Sequence, residues 1–144
     1  MLFTFFFTIL VCVLVVFVHY ESLLRLSILM HKLRVLHRLR ILIAVIGVLT
    51  AHVFEVWIFA LGHYLLVTTG KFGTLIGDFS GGLLDYSYYS FSTYTSLGFG
   101  DITPEGPIRF LTGMEALTGL VLIAWTASFM FLEMQRYWDD QRNL

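Results

Sequence analysis

Residues 94–101 read YTSLGFGD, Tyr94 to Asp101, with Gly98 and Gly100 on either side of a lone aromatic. Regular helix disfavours such a run, because each glycine costs about 1 kcal/mol of helix stability relative to alanine. Yet the run lies between two of the most apolar parts of the chain. The 144 residues are 58% hydrophobic and 13% charged, with a mean hydropathy of +0.81. That apolar content is far above what a soluble domain carries, so the solvent is a bilayer. A net charge of −1 excludes the gathered positive face that nucleic-acid binding needs. Cys12 is the single cysteine, so no disulfide framework exists.

Three segments are long and apolar enough to cross a core of roughly 30 Å, which takes about 20 helical residues. They are Leu2 to Val18, Ile41 to Val67, and Ile108 to Leu132. No Lys or Arg precedes the first and no A-x-A site follows it, so it reads as a retained helix rather than a signal peptide. Basic residues stay on the cytoplasmic side. Residues 19–40 carry Arg25, Lys32, Arg34, Arg38 and Arg40, whereas residues 68–107 carry Lys71 and Arg-free sequence against Asp78, Asp85, Asp101 and Glu105. The expected protein is therefore a multi-pass cell (inner) membrane protein with its N-terminus outside and its C-terminus cytoplasmic.

The basic segment places His31, Arg34, His37 and Arg40 at every third residue, a spacing that also suits a voltage sensor. A sensor helix must lie in the membrane field inside a bundle. Here Leu26, Leu29, Leu33, Leu36 and Leu39 take one face and the cations another, the pattern of an amphipathic helix lying on anionic lipid. Residues 20–40 are read as that interfacial helix, with anionic lipid as the partner of 25–40.

Between the glycine-rich stretch 68–84 and the quoted run lies LLDYSYYSFSTYTS. Asp85 is a good N-cap for a helix over 85–95, since its carboxylate can accept first-turn amides. Ten or so residues at 1.5 Å each reach only about halfway through a bilayer. Such a helix enters and turns back. Irregular backbone at membrane depth is tolerated only where protein buries it or a watery cavity meets it. A half-helix followed by Gly-x-Gly therefore implies a pore, and glycine supplies the positive φ that lets successive carbonyls face one axis.

Helix, re-entrant helix, S-L-G-F-G-D loop and helix, in that order, resemble the pore of the potassium channel family, over about Arg40 to Trp138. In that family four TVGYG loops replace the hydration shell of potassium with rings of carbonyls. The resemblance implies an all-α membrane protein: three transmembrane helices, a re-entrant pore helix and a selectivity-filter loop, in a homotetramer that conducts passively and is not an enzyme. The filter would be Ser96, Leu97, Gly98, Phe99 and Gly100, with potassium held at Ser96, Leu97, Gly98 and Phe99, and no other cofactor. Thr95, Asp101, Tyr88 and Tyr89 would support it. Ser96 replaces the usual Thr and keeps its hydroxyl; Phe99 replaces Tyr and loses a hydroxyl that braces the filter against the pore helix. Gly119 falls where family members carry a hinge glycine. The implied organisation is a peripheral helix 1–19, an interfacial helix 20–40, a pore module 41–138 and a tail 139–144. Within the module run outer helix 41–67, turret 68–84, pore helix 85–95, filter 96–101 and inner helix 108–134.

Counting in fours from Gly119 gives Ile123, Ala127 and Phe131 as the face toward the axis, with Phe131 placed to gate the inner mouth. Ionisable groups inside a membrane are functional candidates. His52 and Glu55 share a face of the second span, and Glu115 lies on the third. Glu55 is 14 residues from Ile41 and Glu115 is 7 from Ile108, depths that coincide in a core of about 30 Å. The three are expected to meet behind the filter and bond to Ser92 or Tyr94, as a polar brace or a pH sensor. Two other functions keep parts of this pattern. One is a non-selective monovalent cation channel; the other is a membrane-bound metalloenzyme using His52, Glu55 and His63.

Overall fold

Thr4, Thr8, Val11, Val15, His19, Leu23, Leu26 and Met30 fall three or four residues apart and form the buried stripe of one helix, α1, Leu2–Lys32. The computed structural model describes residues 2–32 and 37–142. After α1 come α2, His37–Thr68; a strand β1, Thr74–Gly77; a short helix α3, Leu83–Tyr94; a strand β2, Ile102–Glu105; a 3-10 turn, Gly106–Ile108; and α4, Arg109–Arg142. Three of these helices are long and apolar enough to cross a membrane: Leu2–Lys32, Leu39–Thr68 and Gly106–Gln135. The chain is an all-α membrane protein with a small sheet on one end.

The expected boundary between a peripheral helix 1–19 and an interfacial helix 20–40 is not there. Neither glycine nor proline interrupts 19–32, so α1 runs on without a break, and Leu23 and Leu26 pack with Val48 of α2 beside Phe129 and Met130 of α4. Arg40 then donates to the Met30 carbonyl across the α1–α2 connection. Residues 33–36, with Arg34, and residues 143–144 of the expected tail lie outside the described residues.

At the opposite end, β1 pairs antiparallel with β2, Thr74 opposite Glu105 and Gly77 opposite Ile102. These four-residue strands are too short to show an alternating pattern, and the turret reading of 68–84 did not foresee them. Gly77 has φ 115° and lies where a Cβ would stand 1.9 Å from the Asp101 carbonyl. The sheet thereby ties the segment after the loop to the segment before α3, with Leu75 and Ile102 buried against Ala60, Tyr86 and Tyr89.

Gly82, not Asp85, is the N-cap of α3. Asp85 instead sits at the third helical position, and its Oδ2 accepts from the Gly82 amide at 3.3 Å, the Ser80 amide at 2.9 Å and the Ser80 hydroxyl at 2.5 Å. The Ser80 hydroxyl and amide hold the Asp85 carboxyl below its ordinary range. The carboxylate still serves the positive end of the helix, from inside the first turn. Val15, Phe59, Tyr94 and Leu111, one from each helix, are almost wholly buried in one cluster. The end of α3 is thus the centre of the core.

Candidate functional site

The backbone after α3 is one-sided. Five successive amides turn back onto the helix end: Thr95 N–H donates to Phe91 O at 3.2 Å, Ser96 to Thr93 O at 2.9 Å, and Leu97 and Gly98 to Ser92 O at 2.9 and 3.2 Å. Phe99 N–H donates to the Ser92 hydroxyl at 3.3 Å. Among the described residues, the carbonyls of 96 to 99 accept no hydrogen bond. The φ angle is positive at Ser96 (57°), Gly98 (54°) and Gly100 (83°), and Leu97 and Phe99 between them stay on the ordinary side. Alternating hands swing successive peptide groups to the same side, the geometry of backbone nests. The amides are thus spent on α3, while the carbonyl oxygens of 96 to 99 carry no hydrogen bond among the described residues. The C-terminal, negative end of α3 points at the same place.

Tyr88 braces this loop twice. Its hydroxyl donates to Asp101 Oδ2 at 2.7 Å, and its ring stacks on Phe99 with centroids 6.2 Å apart and planes 4° apart. The bond to Asp101 replaces the brace that a hydroxyl on residue 99 would supply. Tyr89 takes no part in it: its hydroxyl meets Thr112 Oγ1 at 2.9 Å on the far side of α3. The Thr95 hydroxyl donates to Phe91 O at 2.7 Å and holds the helix end. Leu97 and Phe99 are 59% and 64% exposed, so the loop offers apolar side chains as well as bare oxygens.

Behind the loop, the expected meeting of His52, Glu55 and Glu115 does not occur. Glu55 and His52 do come together, at 3.0 Å between Glu55 Oε2 and His52 Nδ1, and Tyr94 does bond to them. Its hydroxyl donates to Glu55 Oε2 at 2.5 Å and lies 2.9 Å from His52 Nδ1. The third partner is His19 of α1, with Nδ1 2.9 Å from Glu55 Oε1. Glu115 stands in a separate layer nearer the loop end of the bundle, 3.6 Å from His63 Nδ1. Ser90 of α3 is its other polar neighbour, and among the described residues no tight hydrogen bond reaches either Glu115 oxygen. His63 itself bonds the Phe59 carbonyl at 3.0 Å and Thr112 Oγ1 at 3.4 Å. The trio His52, Glu55 and His63 is therefore not assembled.

His19 was not among the residues singled out from the sequence, because it stands just past the apolar segment Leu2 to Val18, at the edge of the expected helix 1–19. Its signal was the stripe: it falls in register four residues after Val15 and four before Leu23.

Gly119 lies on an unbroken stretch of α4 and packs against the carbonyl of Tyr94. Its demonstrable role is close approach. Ile123, Ala127 and Phe131, the next three positions in the row, are all exposed on the single chain.

A family model described as an ion channel matches residues 52–136, more than half of the chain and all of α3, the loop and most of α4. Comparison with curated proteins and with solved structures gives no significant match.

Proposed function

This chain belongs to the pore-loop ion channel family, and within it we propose a passive potassium-selective channel built from four copies around a common axis. The observation that carries this reading is the one-sided loop. The amides of 95 to 99 are consumed by α3, and the carbonyls of Ser96, Leu97, Gly98 and Phe99 are left free and turned one way. One chain supplies too few oxygens to surround a dehydrated ion, whereas a closed ring supplies a full shell at each level. The exposed Leu97 and Phe99 side chains support the ring, since neighbouring copies would cover them.

In the tetramer Ile123, Ala127 and Phe131 line an apolar cavity below the filter, and Phe131 narrows its inner mouth. The excess of basic residues in 19–40 supports a cytoplasmic position for the end of α1 and the start of α2, with the cations of 25–40 near anionic headgroups of the cell membrane and the loop outside. The Tyr88–Asp101 bond and Tyr88–Phe99 stacking hold the oxygens at a spacing that favours potassium over sodium.

The test is ion flux through the protein reconstituted in liposomes, with reversal potentials in mixed potassium and sodium. We expect potassium selectivity, lost in Gly98→Ala, because φ 54° at residue 98 costs a side-chain-bearing residue about 1–2 kcal/mol in each subunit. A chain that stays monomeric in the membrane, or passes sodium as readily as potassium, overturns the proposal.

A further inference from the structure

We propose that His19, His52 and Glu55 form a binding site for a divalent transition-metal ion of the zinc type. Their ligating atoms all lie within 4.8 Å of one another, and they join α1 to one turn of α2. Two imidazoles and a carboxylate are a donor set that zinc takes readily, leaving a fourth position. The Tyr94 oxygen, 2.9 Å from His52 Nδ1 and 2.5 Å from Glu55 Oε2, is the nearest further oxygen donor at the cluster besides Thr126.

The second layer of contacts points the same way. Both imidazoles turn Nδ1 toward the carboxylate, at 2.9 and 3.0 Å, and both turn Nε2 toward Thr126 Oγ1 of α4, at 3.5 and 3.0 Å. A hydroxyl has two lone pairs and a single proton, so it can accept from both Nε2–H groups but can donate to only one ring. When it accepts both, each Nδ1 presents a lone pair toward the carboxylate, the tautomer in which both rings are set to ligate a metal ion. A metal-bound histidine commonly donates its other ring N–H to a fixed acceptor in this way.

Charge and spacing agree with this assignment. Glu55 is fully buried in the span, its recorded ion pairs are with His19 and His52, and no Lys or Arg pairs with it among the described residues. A carboxylate at that depth whose ionic partners are imidazoles alone is expensive when those rings are neutral, and a divalent ion neutralises it. Ligands about 2.0–2.1 Å from a tetrahedral ion stand roughly 3.3 Å apart. The contacts of 2.9 and 3.0 Å, one to each Glu55 oxygen, open by a few tenths of an ångström on binding, and the widest separation in the set, within 4.8 Å, closes by up to about 1.5 Å. Because His19, Glu55, Tyr94 and Thr126 come from four different helices, a bound ion would clamp α1 onto the pore.

The experiment is a titration of the purified full-length protein with Co2+ and then Zn2+. We expect one Co2+ per chain with the visible absorption of a tetrahedral site, displaced by Zn2+. His19→Gln and His52→Gln should each lower Zn2+ affinity by more than about 100-fold, and Thr126→Val by about 10–100-fold. His63→Gln, in the other layer, should leave it unchanged. Helical circular dichroism confirms that each variant is folded, and if one is not, the Co2+ spectrum of the native protein and the Thr126→Val shift decide. Absence of a stoichiometric Co2+ spectrum, or Zn2+ affinity unmoved by His52→Gln and Thr126→Val, overturns the site and assigns the cluster to protons alone. The readout is binding, so it is independent of which ion the channel passes.

Discussion

Gly119 of the inner helix packs directly against the Tyr94 carbonyl at the end of the pore helix: a Cβ at residue 119 would stand 2.1 Å from that oxygen and 2.9 Å from its carbon. In an isolated helix Gly119→Ala would gain about 1 kcal/mol. Here the obstacle is backbone, which cannot rotate aside, and overpacking typically costs about 1–3 kcal/mol. The clash outweighs the propensity. Gly119→Ala should lower the thermal stability of the protein and displace the loop, seen as reduced flux. An alanine variant that melts at the same temperature and conducts normally would show that α4 has slack at this contact.

Tyr88→Phe keeps the stacking on Phe99 and removes only the hydroxyl that donates to Asp101. The expected result is a folded protein with a narrower preference for potassium, measured as a shift of the reversal potential in mixed salts. Tyr89→Phe touches Thr112 instead and should leave selectivity alone. The bond to Asp101 raises the Tyr88 phenol above its ordinary value of 10.0. The interaction is complete below that value and is lost as pH rises through the raised one, so it persists across the physiological range.

Asp85 behaves with the opposite sign. Its carboxyl is held below the ordinary value of 3.8, first by the Ser80 hydroxyl. The contribution of its bonds is fully present above 3.8 and disappears as pH falls through the lowered value. Amide exchange at Ser80 and Gly82 should accordingly stay slow down to about pH 4 and quicken only below it. Asp85→Asn should show fast exchange at neutral pH. Slow exchange in that variant would mean that the start of α3 is held by other contacts.

Glu115 lies 3.6 Å from His63 and beside Ser90, and His63 already has the Phe59 carbonyl. Breaking a tight buried ion pair costs about 3–5 kcal/mol because it strands the opposite charge, whereas replacing a carboxyl without a tight ionic partner by the isosteric amide strands none. The distances favour the second case. Glu115→Gln should therefore retain full thermal stability and an unchanged current between pH 5 and 8. A large loss of stability would reveal a tight pair, and a shifted pH profile would make Glu115 a sensor.

Local patterns were enough to read much of this protein from residue order. Hydropathy over segments of 17, 27 and 25 residues marks the three spans, because lipid requires every backbone group to be satisfied within the segment. The half-length segment around Tyr86 to Thr95 and the glycines at 98 and 100 place a re-entrant helix and an irregular loop, because length and φ preference are properties of neighbouring residues. The family resemblance names Tyr88 and Tyr89 together as supports of the loop, whereas the fold bonds Tyr88 to Asp101 and Tyr89 to Thr112.

Depth and partnership between helices were beyond such reading. The apolar segment Ile41 to Val67 has 27 residues, about 40 Å of helix, so counting from one end of it into a core of about 30 Å leaves a slack of some 10 Å. That slack is about two turns, and it brought Glu55 to the level of Glu115 on paper. In the folded chain His63, five residues before the end of α2, faces Glu115, six residues into α4, and Glu55 lies eight residues deeper, with His19. Residue order carries no record of how far one helix slides along another. Packing sets that, through buried stripes such as the one on α1 and close contacts such as Gly119 on Tyr94.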